Sequence, residues 1–419
     1  MIISKPVKPL SMDRDKHMVI KSEADLNMRS RHMFDLAAYI ALLVISVVMF
    51  TPLISKLSLV GGDYIAHLKW AGEIEKHGKL LLPHPLYHIL VILVKNIFFI
   101  DYVKSSTIVV VFAIYFLAIL NYRLLAKCSS PLIAVLFSIC LLVVTPLQVI
   151  YFIDGHLYFG YVGITVYHSP TMLLLKPLSL IAFCYVLKAA TSTSESDLPN
   201  GIAFALSLFV CGVSKPNFLI IILPAFLMFL IVACKLKSIL SRRYIYGAFF
   251  LPVFLVLGLQ FFHTYYYQGL SLGTGNDESH VVLLPFESMG HYSSFLTVKF
   301  FLSIAFPLIV FLCYSKEFVK EKALILSSAC LLMGLVLTYF FAESGYRLYA
   351  GNFWWSGQIG LYLTFLFSLV FLLENAKKFT IKRIDKIKYV LCLVMFFAHT
   401  AFGIFYYRQE LLFSYMQFW

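Results

Sequence analysis

Residues 34–67 read FDLAAYIALLVISVVMFTPLISKLSLVGGDYIAH, and this stretch decides the class of the protein. Its first part, 34–58, is almost entirely apolar and has the length at which a helix crosses a bilayer. Two glycines and Asp63 follow the apolar run, and His67 comes four residues later, where a helix would place it on the same face as Asp63. A carboxylate at a bilayer surface is costly unless it has a partner or a task, so we interpret Asp63 as the start of an active site.

The whole chain has the composition of a membrane protein. Of its 419 residues, 61% are hydrophobic and 13% are charged, and the mean hydropathy is +0.86. Soluble domains carry about 25% charged residues. The apolar residues form repeated runs of about 17–25 residues, as helical membrane spans do, whereas a β-barrel would show alternating segments of about ten residues. The sequence therefore predicts an all-α, polytopic integral membrane protein.

The basic residues orient the chain. The formal charge of +13 could suggest nucleic-acid binding, but the cations fall in short clusters between apolar runs, as the positive-inside rule predicts, so we expect no nucleic-acid partner. Residues 1–33 are basic and form a cytoplasmic, partly disordered tail, which puts Asp63 outside. If 84–100 were a span, the basic clusters at 235–243 and 377–388 would lie on the outer side, against the positive-inside rule. We therefore interpret 84–100 as an interfacial juxtamembrane helix.

This choice predicts about eleven transmembrane helices in one domain, 34–419. The expected spans are 34–58, 105–122, 131–150, 170–187, 200–213, 217–234, 244–262, 296–314, 323–341, 353–374 and 389–407. The expected outer loops are 59–104, 151–169, 263–295 and 342–352, and the loop 263–295 is expected to close over the acceptor or donor because loops of that length tend to be functional.

The chemically useful side chains lie on the outer side, whereas the inner loops hold mostly orienting charges. The outer candidates are Asp63, His67, Asp154, His156, His168, Lys215, Glu343 and Arg347. Acids, imidazoles and cations on one membrane face are the arrangement needed for chemistry at an interface. A transporter would instead place ionisable residues near span centres, which here are nearly all Leu, Ile, Val and Phe.

An opening span, Gly-Gly-Asp at 61–63 and His-Pro-Leu-Tyr at 84–87 together resemble the GT-C class of membrane glycosyltransferases, which take a sugar from a polyprenyl-phosphate carrier. The class places an essential acid early in the first outer loop, and Asp63 matches that position. Many members carry a second acidic motif in the second outer loop, which Asp154 could fill. No clear Asp-x-Asp is present, so a divalent metal stays an open possibility. The size and the lack of a large soluble domain resemble bacterial enzymes that add a glucosyl unit to O-antigen.

The resemblance implies sugar transfer from a polyprenyl-phosphate donor to a glycan or lipid-linked oligosaccharide acceptor, on the periplasmic side of a bacterial inner membrane. Asp63 would be the base on the acceptor hydroxyl, or alternatively a helix cap. Lys215 and Arg347 would hold the departing phosphate, or alternatively snorkel to the headgroups.

The remaining candidates have weaker assignments. His156 and His168 could bind phosphate or a metal, or only form hydrogen bonds. Asp154 could orient the acceptor or ligate a metal. Glu343 would contact substrate or pair with the cation four residues on. Rival functions are an O-antigen polymerase or ligase, and a transporter or flippase of lipid-linked sugars.

Overall fold

The computed structural model describes residues 12–80, 82–266 and 280–413, and helix makes up 77% of the chain. The helices of the first half are α1 (Met12–Val60), α2 (Gly62–His77), α3 (Leu86–Phe98), α4 (Tyr102–Leu125), α5 (Pro131–Val143), α6 (Tyr151–Asp154), α7 (Pro170–Thr191), α8 (Gly201–Ser214) and α9 (Asn217–Val232). Those of the second half are α10 (Leu236–Leu240), α11 (Arg243–Ile245), α12 (Leu251–Tyr265), α13 (Glu287–Gly290), α14 (Leu296–Phe318), α15 (Lys322–Phe340), α16 (Trp354–Glu374), α17 (Ala376–Phe379) and α18 (Arg383–Leu412).

Short irregular elements complete the described residues. Turns of 3-10 helix cover Glu195–Asp197 and Gly345–Arg347, and a π-helical turn, Tyr246–Phe250, joins α11 to α12. Strands β1 (Val281–Leu283) and β2 (Phe341–Glu343) pair antiparallel, with Val281 opposite Glu343. This three-residue ribbon is the only sheet within the described residues, so the fold is helical as predicted.

Within the described residues, eight helices are long and apolar enough to cross a membrane: Met33–Val60 within α1, α4, α7, Arg243–Thr264, α14, α15, α16 and α18. The chain is therefore a polytopic membrane protein, as the sequence predicts. Three further predicted spans correspond to α5, α8 and α9, which have 13, 14 and 16 residues. Because a spanning helix needs about 20 residues, the total of eleven stays a prediction.

Two predicted segments, the N-terminal tail 1–33 and the juxtamembrane stretch 84–100, can be compared with the observed helices. Helix α1 begins at Met12, inside the segment 1–33 expected as a tail. The stretch 84–100, interpreted as a juxtamembrane helix, forms α3, a helix of 13 residues. Tyr87, His88 and Val91 bury one side of α3 against the protein.

The prediction of a continuous span over 131–150 is wrong in its second half. Helix α5 ends at Val143 because Pro146 follows, and a proline disfavours helical backbone in the preceding residue. The unwound backbone finds partners elsewhere: the Thr145 amide donates to the His399 carbonyl at 3.4 Å, and the Leu147 amide donates to the Leu302 carbonyl at 3.2 Å. His399 Nδ1 lies 2.7 Å from the Thr145 carbonyl oxygen. Non-helical backbone at membrane depth is tolerated only with such partners.

Helix α16 is the centre of the bundle, because 94% of its most apolar window is buried. It packs against α15 along a seam of small residues. A Cβ atom at Gly360 would lie 2.6 Å from the Leu331 Cα atom, and one at Gly334 would lie 2.5 Å from the Ser356 carbonyl oxygen. Glycines at such positions let two helix backbones approach closely, as is common in membrane helix pairs. The first residues of α16 are thereby held at a fixed height beside the outer loops.

Candidate functional site

Helix α2 positions Asp63 and His67. The turn from α1 into α2 is tight: the Gly61 amide donates to the Leu57 carbonyl at 2.7 Å, and a Cβ atom on Gly61 would lie 2.7 Å from that same oxygen. Glycine is therefore required there. Asp63 lies in the first turn of α2, where the helix dipole favours a carboxylate. His67 follows one turn later and is buried, with 8% exposure, while Asp63 is half-buried.

A chain of contacts ties α2 to α3 and α4. His67 Nδ1 lies 2.9 Å from His88 Nε2, and the His67 ring packs edge-on against Tyr87 with centroids 5.7 Å apart. The Tyr87 hydroxyl lies 2.7 Å from Ser106 Oγ in α4. Tyr64 donates from α2 to the Tyr167 carbonyl at 3.1 Å, which ties α2 to the second outer loop. The helix that carries Asp63 is thus fixed on several sides.

Lys215 lies in the short turn between α8 and α9 and is almost fully buried, with 9% exposure. Its ammonium donates to Thr171 Oγ1 at 3.1 Å and lies 4.3 Å from the ring centroid of Trp355, a cation–π geometry. Asp63 and Lys215 interact electrostatically. Within the described residues, however, the Asp63 carboxylate forms no hydrogen bond or ion pair.

The two charges influence each other. Burial raises the pKa of Asp63 above its ordinary value, and the positive charge of Lys215 works in the opposite direction. Burial lowers the pKa of Lys215 to about 8, and the negative charge of Asp63 opposes that shift. A raised carboxyl pKa suits a general base, because general-base catalysis is most efficient when the pKa of the base lies near the working pH.

The histidines around this pair are neutral near pH 7. Burial lowers the pKa of His67 and of His168 well below the ordinary range, and the charge of Lys215 adds to both effects. Burial lowers the pKa of His84 to about 3 and that of His88 to about 4. These imidazoles therefore serve as hydrogen-bond donors and acceptors, and the positive charge of the site comes from Lys215 and Arg347.

Aromatic rings line the side of the site next to α16. The His168 ring packs edge-on against Tyr158, with centroids 4.9 Å apart, and lies 5.6 Å from the ring of Trp355. Gln358 Nε2 donates to the Tyr158 hydroxyl at 2.9 Å. The buried Nε1 of Trp354 has no hydrogen-bond partner among the described residues. Flat rings with nearby polar atoms suit the faces and hydroxyls of a sugar.

Glu343 and Arg347 form the ion pair considered from their spacing, with Glu343 Oε1 3.6 Å from Arg347 Nη1. Asn352 donates to the other carboxylate oxygen of Glu343. Asn217, two residues after Lys215, donates to the Asn352 carbonyl at 2.9 Å. Arg347 also lies within electrostatic reach of His84. The loop after α15 therefore lies beside the cluster of Asp63, His67, His84 and Lys215, which we call the Asp63 group. Glu343 holds Arg347 next to this group.

Asp154 and His156 belong to a second group, built around Lys299. The ammonium of Lys299, whose side chain is fully buried, lies 2.5 Å from Asp154 Oδ2 and donates to the Phe159 carbonyl at 2.8 Å. The His156 amide donates to Asp154 Oδ1 at 3.0 Å. Asp154 is therefore ion-paired with a cation from α14, and its roles in orienting the acceptor or ligating a metal stay predictions. The two groups meet through Tyr158 and Phe159, whose rings lie 5.6 Å apart.

Two further expectations concern the long outer loop, 263–295, and a bound divalent metal. Part of the long outer loop, 267–279, lies outside the described residues, and so do Asp277 and Glu278. Within the described residues, no three His, Cys, Asp or Glu side chains are grouped so that they could hold a metal ion. We therefore derive no chemical step through a metal.

Several residues of the site were not singled out from the sequence. The additional members are His84, His88, Tyr158, Lys299, Trp354 and Trp355. A signal was present for some of them: the chain has four tryptophans, and two adjoin at the start of the helix that follows the last outer loop. His84 opens the quoted motif at 84–87 and His88 follows it directly, but the contact of His88 with His67 of α2 depends on tertiary packing.

Comparisons with protein-family models and with curated proteins gave no match for this chain. The assignment of a function therefore depends on the arrangement of the side chains described above.

Proposed function

We propose that the protein is a GT-C-type glycosyltransferase that moves a sugar from a polyprenyl-phosphate-linked donor to a glycan acceptor on the extracytoplasmic side of a bacterial inner membrane. One observation carries the proposal. Asp63 is a half-buried carboxylate that forms no hydrogen bond or ion pair with any described residue, although a buried cation, Lys215, lies within its electrostatic reach. An acid with only a structural role would be expected to form a direct ion pair with that cation.

The proposed reaction assigns one role to each charge. The Asp63 carboxylate takes the proton of the acceptor hydroxyl, and the hydroxyl oxygen forms a bond to the anomeric carbon of the donor sugar. The bond between that carbon and the phosphate oxygen breaks, and polyprenyl phosphate leaves with the electron pair. Lys215 and Arg347 stabilise the charge that develops on the phosphate, in a partly desolvated site where such interactions are strong.

The neutral groups would select and orient the substrates. His67, His168 and His84 can each donate or accept a hydrogen bond without adding charge near the phosphate. Trp355 and Tyr158 offer ring faces beside Lys215, so that a sugar linked to a phosphate would have both of its parts satisfied. Binding the sugar and the phosphate at separate points would hold the anomeric carbon in a fixed orientation towards the acceptor hydroxyl, and such positioning raises the reaction rate.

The test is Asp63→Asn in purified protein reconstituted in nanodiscs. Transfer of a labelled hexose from undecaprenyl phosphate to an O-antigen acceptor is measured, together with donor binding. We expect a loss of turnover of at least about a hundredfold with donor binding retained, because the amide keeps the shape but cannot accept the proton.

The matched control is Glu73→Gln, which changes an acid on the same helix whose partner is His77 at 3.1 Å. We expect that variant to keep wild-type turnover. Unchanged transfer in Asp63→Asn, or an equal loss in Glu73→Gln, would contradict the role given to Asp63.

A second function, transport of a lipid-linked sugar, is favoured by one observation. Lys176 lies inside α7, is 3% exposed, and has no acidic partner among the described residues. Its ammonium lies 3.4 Å from Thr165 Oγ1 and 5.4 Å from the ring centroid of Tyr362. Ionisable residues inside spans often mark transport routes. Movement of the labelled donor across the bilayer of sealed vesicles, without any sugar transfer, would favour this function over the enzyme.

A further inference from the structure

A cavity of about 540 Å³ lies at the end of the bundle opposite to Asp63. It is formed by residues of α1, α4 and α7, and α4 packs against the other two helices. Asp35 of α1 lines the cavity, and it lies about 38 Å along that helix from Val60, the residue after which the chain turns towards Asp63. The cavity therefore cannot share a substrate-binding surface with the Asp63 group.

Three cations line this cavity: Arg123 and Lys127 at the end of α4, and Lys188 in the last turn of α7. All three side chains are exposed. None of them forms an ion pair within the described residues. Asp35, the one acid among the described lining residues, accepts a hydrogen bond from the Tyr122 hydroxyl at 2.6 Å. Among the described residues that line the cavity, positive charge is therefore in excess, and Lys127 also lies within electrostatic reach of Glu374.

The remainder of the lining is apolar or aromatic. Leu120, Leu124, Leu180 and Ile181 extend from the cations towards the middle of the bundle. Tyr39 packs edge-on against Tyr122, with ring centroids 5.7 Å apart. A ligand that fits must therefore be anionic at one end and apolar along its length. A free ion such as phosphate would leave the apolar part of the cavity unfilled.

We propose that this cavity binds the headgroup and upper acyl chains of an anionic phospholipid, independently of any activity at Asp63. Basic pockets between transmembrane helices recognise phosphate headgroups in this manner, and each Lys or Arg near an anionic membrane surface strengthens attraction. Arg123 offers a planar fork for two phosphate oxygens, whereas Lys127 and Lys188 act as point charges.

The test is lipid retention by the full-length protein, measured by native mass spectrometry. Detergent-solubilised protein is titrated with dioleoyl phosphatidylglycerol or with dioleoyl phosphatidylcholine, each with and without excess inorganic phosphate. We expect the anionic lipid to bind at least about tenfold more tightly, and the triple variant Arg123→Gln, Lys127→Gln, Lys188→Gln to lose that preference. Inorganic phosphate should not displace the lipid.

The matched control removes three exposed lysines from the same end of the bundle that do not line the cavity: Lys377→Gln, Lys382→Gln, Lys386→Gln. This variant should keep the preference. Equal retention of the two lipids, an equal loss in the control, or displacement by inorganic phosphate would each overturn the proposal.

A second measurement needs no charge variant and so does not depend on variant folding. Cys184 lines the cavity and is a free thiol with intermediate exposure. We expect phosphatidylglycerol, but not phosphatidylcholine, to slow alkylation of this thiol, with the modified peptide identified by mass spectrometry. Equal alkylation rates in both lipids would count against occupancy of the cavity.

Discussion

The pair between Asp154 and Lys299 offers a sharp test, because the two partners differ in burial. The Lys299 side chain is 0% exposed and the Asp154 side chain is 13% exposed. Replacing Asp154 by Asn leaves an ammonium in the protein interior beside the Phe159 carbonyl and the Tyr161 ring, without the carboxylate that balances its charge. Replacing Lys299 by Met leaves a carboxylate that still reaches solvent and still accepts from the His156 amide.

The difference in burial predicts that the two single substitutions lower the free energy of unfolding by different amounts. Removing one partner of a buried ion pair costs about 3–5 kcal/mol, because the other charge is left uncompensated. We expect Asp154→Asn to reach that range. Lys299→Met should cost less, about 1–3 kcal/mol, because the carboxylate keeps a hydrogen bond and water. The double variant removes both charges and should be more stable than the sum of the single effects implies.

The assay is unfolding of the purified protein in mixed micelles with increasing dodecyl sulfate, followed by circular dichroism for wild type, both single variants and the double variant. Additivity within about 0.5 kcal/mol would show that the two residues do not interact. A larger effect for Lys299→Met than for Asp154→Asn would refute the reasoning from burial. Loss of sugar transfer in Asp154→Asn with unchanged stability would instead give Asp154 a direct role in binding substrate.

Two further predictions address the site and the core. Transfer activity should depend on pH with two limbs: it should fall in acid at a higher pH than an exposed aspartate would give, since burial raises the pKa of Asp63, and it should fall in base near the Lys215 pKa of about 8. Lys215→Arg should move the basic limb upwards because Arg stays charged, and an unmoved limb in a pH–rate profile would remove Lys215 from that role. Gly360→Ala should lower stability by about 1–3 kcal/mol because its Cβ atom would meet Leu331 at 2.6 Å. The control Gly258→Ala, with nothing within 4 Å, should be neutral or stabilising, and equal unfolding of the two variants would contradict the close packing.

Much of the helical layout could be predicted from local sequence. Proline and polar residues mark the ends of apolar runs, so the predicted span 200–213 coincides with Gly201–Ser214, and 170–187 begins at the observed Pro170. Lys215 was found for the same reason, since it interrupts two apolar runs. Pro146 was an equally readable signal, and it marks the place where the predicted span over 131–150 was too long.

The partners within the site could not be predicted in this way. Lys299 is 145 residues from Asp154 in sequence, and Arg347 shares its surroundings with His84 from the other end of the chain. Periodicity reports which face of one helix is apolar, but it carries no information on which distant side chain will meet that face. The single outer surface expected from loop charges therefore divides, in the structure, into two groups around Asp63 and Asp154.

The interrupted helix α5 has a consequence for biosynthesis. Its 13 residues rise only about 20 Å, well short of the hydrocarbon thickness. The chain continues through Thr145 and Leu147, whose amide groups bond to carbonyls of α14 and α18. Those acceptors are synthesised more than 150 residues later, at the earliest with Leu302. This early segment therefore cannot settle in its final position as it leaves the ribosome, and its assembly waits until the chain has been made as far as His399.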